Sequence, residues 1–145
     1  MAVFLSVKEL LSGAESAGLE LWEYVLRVSA DETGISTEHS WAQMAARLDA
    51  MKNADASYDA GMRSHSGLIG GDGAKMEAYA AGDGGICGEF IDSILAAALR
   101  MGECNACMHC IVAAPTAGAC GVLPAVLLPY GRRHELTDDA LIKAL

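Results

Sequence analysis

The sequence predicts an all-α fold, and three observations carry that reading. Apolar residues recur at three- and four-residue spacing in several stretches. No stretch alternates apolar and polar residues between hairpin turns. Glycines and prolines gather between the periodic stretches, where they read as loops. With 145 residues, 52% of them hydrophobic and 20% charged, the chain is one domain or part of one, and it is too apolar for intrinsic disorder. Ten Lys+Arg against 19 Asp+Glu give no electrostatic footprint for a nucleic-acid backbone or an anionic membrane, so neither partner is expected. Five cysteines, odd in number and clustered, suit a reducing compartment, and we expect a cytoplasmic protein. Residues 1–11 are apolar but carry Lys8 and Glu9 where an export signal keeps an uninterrupted core.

In chain order, Leu19, Trp22, Val25 or Leu26, and Val28 make one short helix that closes before Asp31-Glu32-Thr33-Gly34. A second helix opens at Ser40, read as an N-cap with Gln43 three positions on. Its stripe is Trp41, Met44, Leu48, Met51, Tyr58 and Met62, interrupted by Asp55, and at this spacing we read it as packing surface. A glycine-rich break at residues 66–73 precedes a helix starting near Ala74, and a second break at 82–85 precedes a helix over 89–101. There Phe90, Ile91, Ile94, Leu95 and Ala98 form the expected apolar stripe. At the C-terminus Thr137 caps a short helix with Asp138 and Asp139 in its first turn, whose apolar Leu141, Ile142 and Leu145 need partners. The composition thus divides into a helical region of about 1–63, a loop-rich region of about 64–131 and a further helix start at 137–145.

Residues 110–131 carry no charge, and 22 residues are long enough to cross a bilayer. All three prolines, Pro115, Pro124 and Pro129, lie there with Gly118 and Gly121. They are expected to break the backbone ladder, so we read the run as buried in protein rather than in lipid.

Three segments carry possible chemistry. Glycines 67, 70, 71 and 73 before a helix start let backbone N–H groups converge on an anion, although the stretch is neither a Walker loop nor a dinucleotide fingerprint and serves equally as a flexible turn. Cys104, Cys107 and Cys110 form a C-x2-C-x2-C run with Ala114-Pro115 where a bacterial ferredoxin has Cys-Pro. The run is open to a metal or redox site, completed by Cys87, Cys120 or His109, or to three small buried thiols on a helix. The third segment, residues 111–121, joins a Pro-directed bend, the Thr116 hydroxyl and two glycines. Such a stretch is either a buried connection or the wall of an apolar pocket.

Ser66-Gly67-Leu68-Ile69-Gly70-Gly71-Asp72, Asn105-Ala106-Cys107-Met108, Ile111-Val112-Ala113-Ala114-Pro115-Thr116-Ala117-Gly118 and Gly121-Val122-Leu123-Pro124 together resemble the iron–sulfur-dependent L-serine dehydratases (L-serine ammonia-lyases). The likeness is to the N-terminal half of their α subunit or catalytic domain and covers essentially the whole chain. It implies an all-α catalytic domain of which this chain is an incomplete half. It also implies a lyase of amino-acid degradation and gluconeogenesis that turns L-serine into pyruvate and ammonia with a [4Fe–4S] cluster and without pyridoxal phosphate. In that chemistry a cluster iron acts as Lewis acid on the substrate hydroxyl while a base removes the α-proton. The resemblance assigns substrate binding to Ser66, Gly67, Gly70, Gly71, Asp72, Asn105, Thr116, Ala117 and Gly118. Amides of the glycine loop would take the carboxylate, and Asp72 or Asn105 the ammonium.

Ile69 stands where the family usually has Thr, Gly73 where it usually has Ala, and His109-Cys110 where it usually has Gly followed by Arg or a small polar residue. The family's cluster ligands lie in motifs downstream of these, and none of the five cysteines maps to one. The resemblance therefore implies that the ligands lie outside this chain, that the isolated chain is inactive, and that its partners are L-serine, the remainder of the α chain and/or a β subunit, and a possible second copy. Lys75, His65 and His109 are the candidate bases, none at a characteristic family position. The alternative reading is a small metal- or redox-binding helical module using Cys104, Cys107 and Cys110. If half a core is missing, apolar surface should stand exposed along residues 121–128 and on the final helix.

Overall fold

In a computed structural model, which describes residues 6–82, 85–114 and 116–145, the Ser6 side chain accepts the Glu9 amide at 3.1 Å and opens helix α1 (Val7–Ala17). That Ser-x-x-Glu spacing is a capping signal the apolar periodicity does not reveal. Helix α2 (Leu21–Thr33) follows, and left-handed Gly18 and Gly34 end the two. Helix α3 (Thr37–Ala56) begins earlier than expected. Ser36, not Ser40, accepts the amide three positions on, that of His39, at 3.2 Å, and Tyr58 and Met62 fall beyond the helix end. Then come α4 (Asp72–Ala80), α5 (Glu89–Ala106), a 3-10 turn at Ala117–Ala119, α6 (Val122–Arg133) and α7 (Asp138–Ala144). The fold is all-α, as expected, with no strand among the described residues.

The chain forms two compact units that divide at 46/47 and 137/138, whereas its composition divides near 63 and 131. In the first unit α1 lies on α2 where Gly13 leaves room for the Tyr24 ring. Trp22 and Trp41 meet edge to face at 5.7 Å, and the Lys143 ammonium stands 4.8 Å from the Trp22 ring centre. Helix α7 packs on α2 with Leu141 and Ile142 buried. The expectation that the final helix exposes its apolar side is therefore corrected: a neighbour within the unit covers it.

The second unit is built around α5. Ala54, Met101 and Cys120 form a small core with Ile111 against it. The α5 stripe read from the sequence is inverted in part, because Ile91 and Leu95 are exposed while Asp92, Ala96, Ala97, Met101, Glu103 and Cys104 face inward. Close approach of α4 selects that face. A Cβ on Gly73 would lie 3.0 Å from the Arg100 backbone nitrogen, so the glycine admits the crossing. Helix α5 also runs five residues past the expected end at Met101. It closes with His109 N–H on the Cys104 carbonyl at 2.9 Å and Met108 N–H on the Asn105 carbonyl at 3.1 Å, Met108 adopting φ 63°.

The prolines do not break the uncharged run as expected. Pro124 sits in the first turn of α6, where an amide has no helical partner, and Pro129 is carried inside the helix at the loss of one donor. Pro115 lies outside the described residues. Val122, Leu123 and Val126 are exposed, as expected for part of residues 121–128, while Pro124, Ala125 and Leu128 are buried. Among the described residues no helix is long and apolar enough to cross a membrane.

Candidate functional site

Both loops singled out in the sequence attach to the last turns of α5. Residues 64–71 fold back on Ser64, whose carbonyl accepts the Gly67 amide at 2.8 Å, whose hydroxyl accepts the Ile69 amide at 3.2 Å, and whose own amide donates to the Ile69 carbonyl at 2.9 Å. The Ser66 hydroxyl lies 3.1 Å from that of Ser64. Gly70 (φ 141°) passes directly over the Met62 carbonyl, which would collide with any Cβ, so this turn requires glycine.

The chain then enters α4 against Glu103. The Glu103 carboxylate, buried, accepts the Asp72 amide at 2.6 Å and the Gly73 amide at 3.2 Å on one oxygen and the Tyr58 hydroxyl at 2.6 Å on the other. Tyr58 in turn accepts the Ala74 amide at 3.1 Å. Burial, and then the hydrogen bond to Glu103, push the Tyr58 phenol up to about 12. An acidic side chain thus occupies the first-turn amides of α4. Those at Asp72, Gly73 and Ala74 are spent on the protein's own groups and are not free for the substrate carboxylate that the sequence suggested. The start of α4 thus holds an anion of the protein's own, the Glu103 carboxylate.

A second polar cluster backs the first. Arg100 pairs with Asp55 at 2.5 Å and Glu77 at 3.0 Å and stands 5.9 Å from the Tyr58 ring centre, while Arg132 reaches the other Asp55 oxygen at 3.0 Å. The sequence reading missed Glu103, Arg100 and Asp55, since charges on helices read as solvated faces. The interruption of the α3 stripe at Asp55 was the one available signal.

Asn105 holds the other loop. Its side-chain N–H donates to the Ala117 carbonyl at 3.1 Å, and the Ala117–Ala119 turn is closed by the Ala119 amide on the Thr116 carbonyl at 3.1 Å. Thr116, Ala117 and Gly118 are exposed, as are Ser66 and Gly67. Because residues two apart point about 200° from one another round a helix, Glu103 and Asn105 hold the two loops on different sides of one turn. The arrangement leaves the Asn105 side-chain oxygen, the Thr116 hydroxyl and the Asp72 carboxylate as polar groups at this end of α5, while the Ser66 hydroxyl is bonded within its own loop, to Ser64 and to the Leu68 amide at 3.4 Å. Asp72 is paired with Lys75 at 2.7 Å, and that hydrogen bond holds its carboxyl below the usual range. Lys75 is thus an ion-pair partner here, and His65 and His109 stand exposed on loops. A surface cavity of about 310 Å³, lined by Glu89, Phe90, Ser93, Pro129, Arg132 and Arg133, lies toward the start of α5 and includes none of the candidate residues.

The thiols do not gather. Cys104 is fully buried and donates to the Ala54 carbonyl at 3.6 Å, Cys120 is in the core, Cys107 is half-buried at the helix end, and Cys110 and Cys87 are exposed. Burial pushes the Cys104 and Cys120 thiols up. Among the described residues no three His, Cys, Asp or Glu side chains could hold a metal. These residues do not fit a [4Fe–4S] cluster, which takes four thiolates converging on one centre.

Residues 16–145 match the serine dehydratase alpha chain family. The chain belongs to that family. Over 143 residues it is 29% identical to a "Probable L-serine dehydratase, alpha chain" of Bacillus subtilis (strain 168), covering 99% of this chain and 48% of the relative. Over 131 residues it is 27% identical to an "L-serine dehydratase, alpha chain" of Peptoniphilus asaccharolyticus, covering 90% of this chain and 45% of the relative. The chain therefore spans about half the length of the curated relatives it matches. No solved structure matches it. As a serine dehydratase alpha-chain relative, it has both motif loops of the resemblance anchored on one helix end.

Proposed function

We propose that this chain supplies part of the L-serine pocket of a dehydratase that releases pyruvate and ammonia, acting in the cytoplasm. The observation that carries the reading is the joint anchoring of the Gly67–Asp72 loop on Glu103 and of the Ala117–Ala119 turn on Asn105 in a chain of this family. The Asn105 side-chain oxygen and the Asp72 carboxylate suit the substrate ammonium, and the Ser66 and Thr116 hydroxyls suit its carboxylate. Glu103 shapes the loop instead of touching substrate. The thiols here do not converge, so the [4Fe–4S] ligands belong to the part of the enzyme outside this chain, and pyridoxal phosphate has no role. The remainder of the α chain and/or a β subunit is then required for turnover, and a homodimer is a further assembly to test.

Anaerobic purification followed by iron and labile-sulfide analysis tests this. The expected result is no stoichiometric cluster on the chain alone. A stoichiometric cluster lost on Cys104→Ser would overturn it and establish the metal-module alternative, which the burial of Cys104 in the core and the exposure of Cys110 do not favour.

A further inference from the structure

Two rows of large apolar side chains stand uncovered on the second unit. On α5, Ile91, Leu95 and Leu99 recur every four residues and are 44%, 43% and 43% exposed. On α6, Val122, Val126 and Tyr130 recur at the same spacing and are 62%, 48% and 45% exposed. The helices run antiparallel, since Gly121 at the start of α6 lies over Ala98 and Met101, while Tyr130 and Arg133 near its end meet Phe90. Equal helical rise then brings Leu99 level with Val122, Leu95 with Val126, and Ile91 with Tyr130. No charged residue interrupts either row, and Ala98 lies on the side of α5 nearer α6. The buried faces, Asp92, Ala96 and Met101 on α5 and Pro124, Ala125 and Leu128 on α6, are turned inward. Stripes of this size on a protein surface mark contact with another protein.

We infer that this face docks the half of a serine dehydratase alpha chain that the present 145 residues do not cover. The inference rests on the function proposed above and names the surface through which the two halves join. The match takes only 48% and 45% of the two relatives' lengths, so about as many residues again of each lie outside it. The uncovered rows lie in the unit that also carries both loops, so docking there joins the second half to the body that presents the candidate pocket residues.

The test mixes the full 145-residue chain with the part of the Bacillus subtilis relative that the match leaves over, and follows binding by light scattering and hydrogen exchange. The expected result is a 1:1 complex with new protection over residues 91–99 and 122–130. In the doubly substituted chain Leu95→Glu with Val126→Glu, affinity falls at least tenfold. The control Ile86→Glu, on an exposed residue of the same unit outside both pocket loops, leaves it unchanged, and circular dichroism shows all three chains equally helical. No complex, unchanged affinity in the double variant, protection confined to other helices, or a homodimer of this chain through the same rows would each overturn the inference. A complex that forms through this face but, loaded anaerobically with its cluster and supplied with any β subunit, yields no pyruvate from L-serine leaves the docking surface standing and refutes the proposed serine pocket instead.

Discussion

Glu103 and Tyr58, 45 positions apart in sequence, share a 2.6 Å hydrogen bond that closes the start of α4. Three donors, the Tyr58 hydroxyl and the Asp72 and Gly73 amides, converge on that one carboxylate. Glu103→Ala leaves all three without their acceptor and is expected to destabilise the fold by about 3 kcal/mol, because unmet buried donors and a lost charge-assisted bond add. Glu103→Gln keeps an oxygen in place and should lose about 1 kcal/mol. Urea unfolding midpoints compare the two, and equal midpoints would show that the carboxylate is not what anchors the glycine loop.

The same pair makes stability depend on alkaline pH. The Tyr58 phenol has its folded-state value raised from 10.0 to about 12. The fold therefore favours the neutral hydroxyl, and the stabilisation is complete below about pH 10 and lost as the pH rises toward 12. The urea midpoint should fall more steeply between pH 10 and 12 in the native chain than in Tyr58→Phe. Parallel slopes would remove Tyr58 from the explanation.

Asp55 ties α3 to both α5 and α6, and its two partners differ in burial. Its bond to Arg100 is largely shielded, whereas Arg132 is mostly solvated. Asp55→Ala leaves the Arg100 guanidinium, whose Nε already lacks a hydrogen-bond partner, with only its exposed Glu77 partner, and should destabilise by about 2 kcal/mol. Arg132→Ala should lose no more than about 0.5 kcal/mol. Thermal unfolding of the two variants distinguishes them, and a larger effect at Arg132 would invert the assignment.

Much of the fold was legible in residues, and the places where reading failed have a common physical cause. The glycine loop and the Thr137-Asp138-Asp139 helix start were plain because turn and capping chemistry is local. Helix α1 carries the same local signals, Ser6 and Glu9 at its cap and Val7, Leu10, Leu11 and Ala14 at helical spacing, but that stretch was weighed only as an export signal and they were passed over. On α5, Ile91 and Leu95 face outward and Asp92 inward, an arrangement that periodicity alone cannot order because burial depends on which helix arrives from elsewhere in the chain. Likewise the motif residues were visible at the site while their anchors were not. Glu103 reaches Asp72 across 31 positions, and nothing local marks it as an acceptor.

The cysteine run makes a chemical prediction of its own. In the folded chain, iodoacetamide at pH 8 should label Cys87 and Cys110 first, Cys107 more slowly, and Cys104 and Cys120 only after denaturant is added, since burial both shields the last two thiols and raises their values. Peptide mass spectrometry reads the order. Early labelling of Cys104 would open the core that the structure closes with the Ala54 carbonyl.

The proposed role as half of a serine pocket is tested most directly by measuring pyruvate release from L-serine after anaerobic reconstitution of this chain with the complementary half of an alpha chain and any β subunit. Neither part should turn over alone, the reconstituted complex should, and Asn105→Ala should raise KM at least tenfold while leaving helicity and complex formation intact. A complex that carries its cluster and yet releases no pyruvate, or one whose KM is indifferent to Asn105, would show that the end of α5 is not where serine is held.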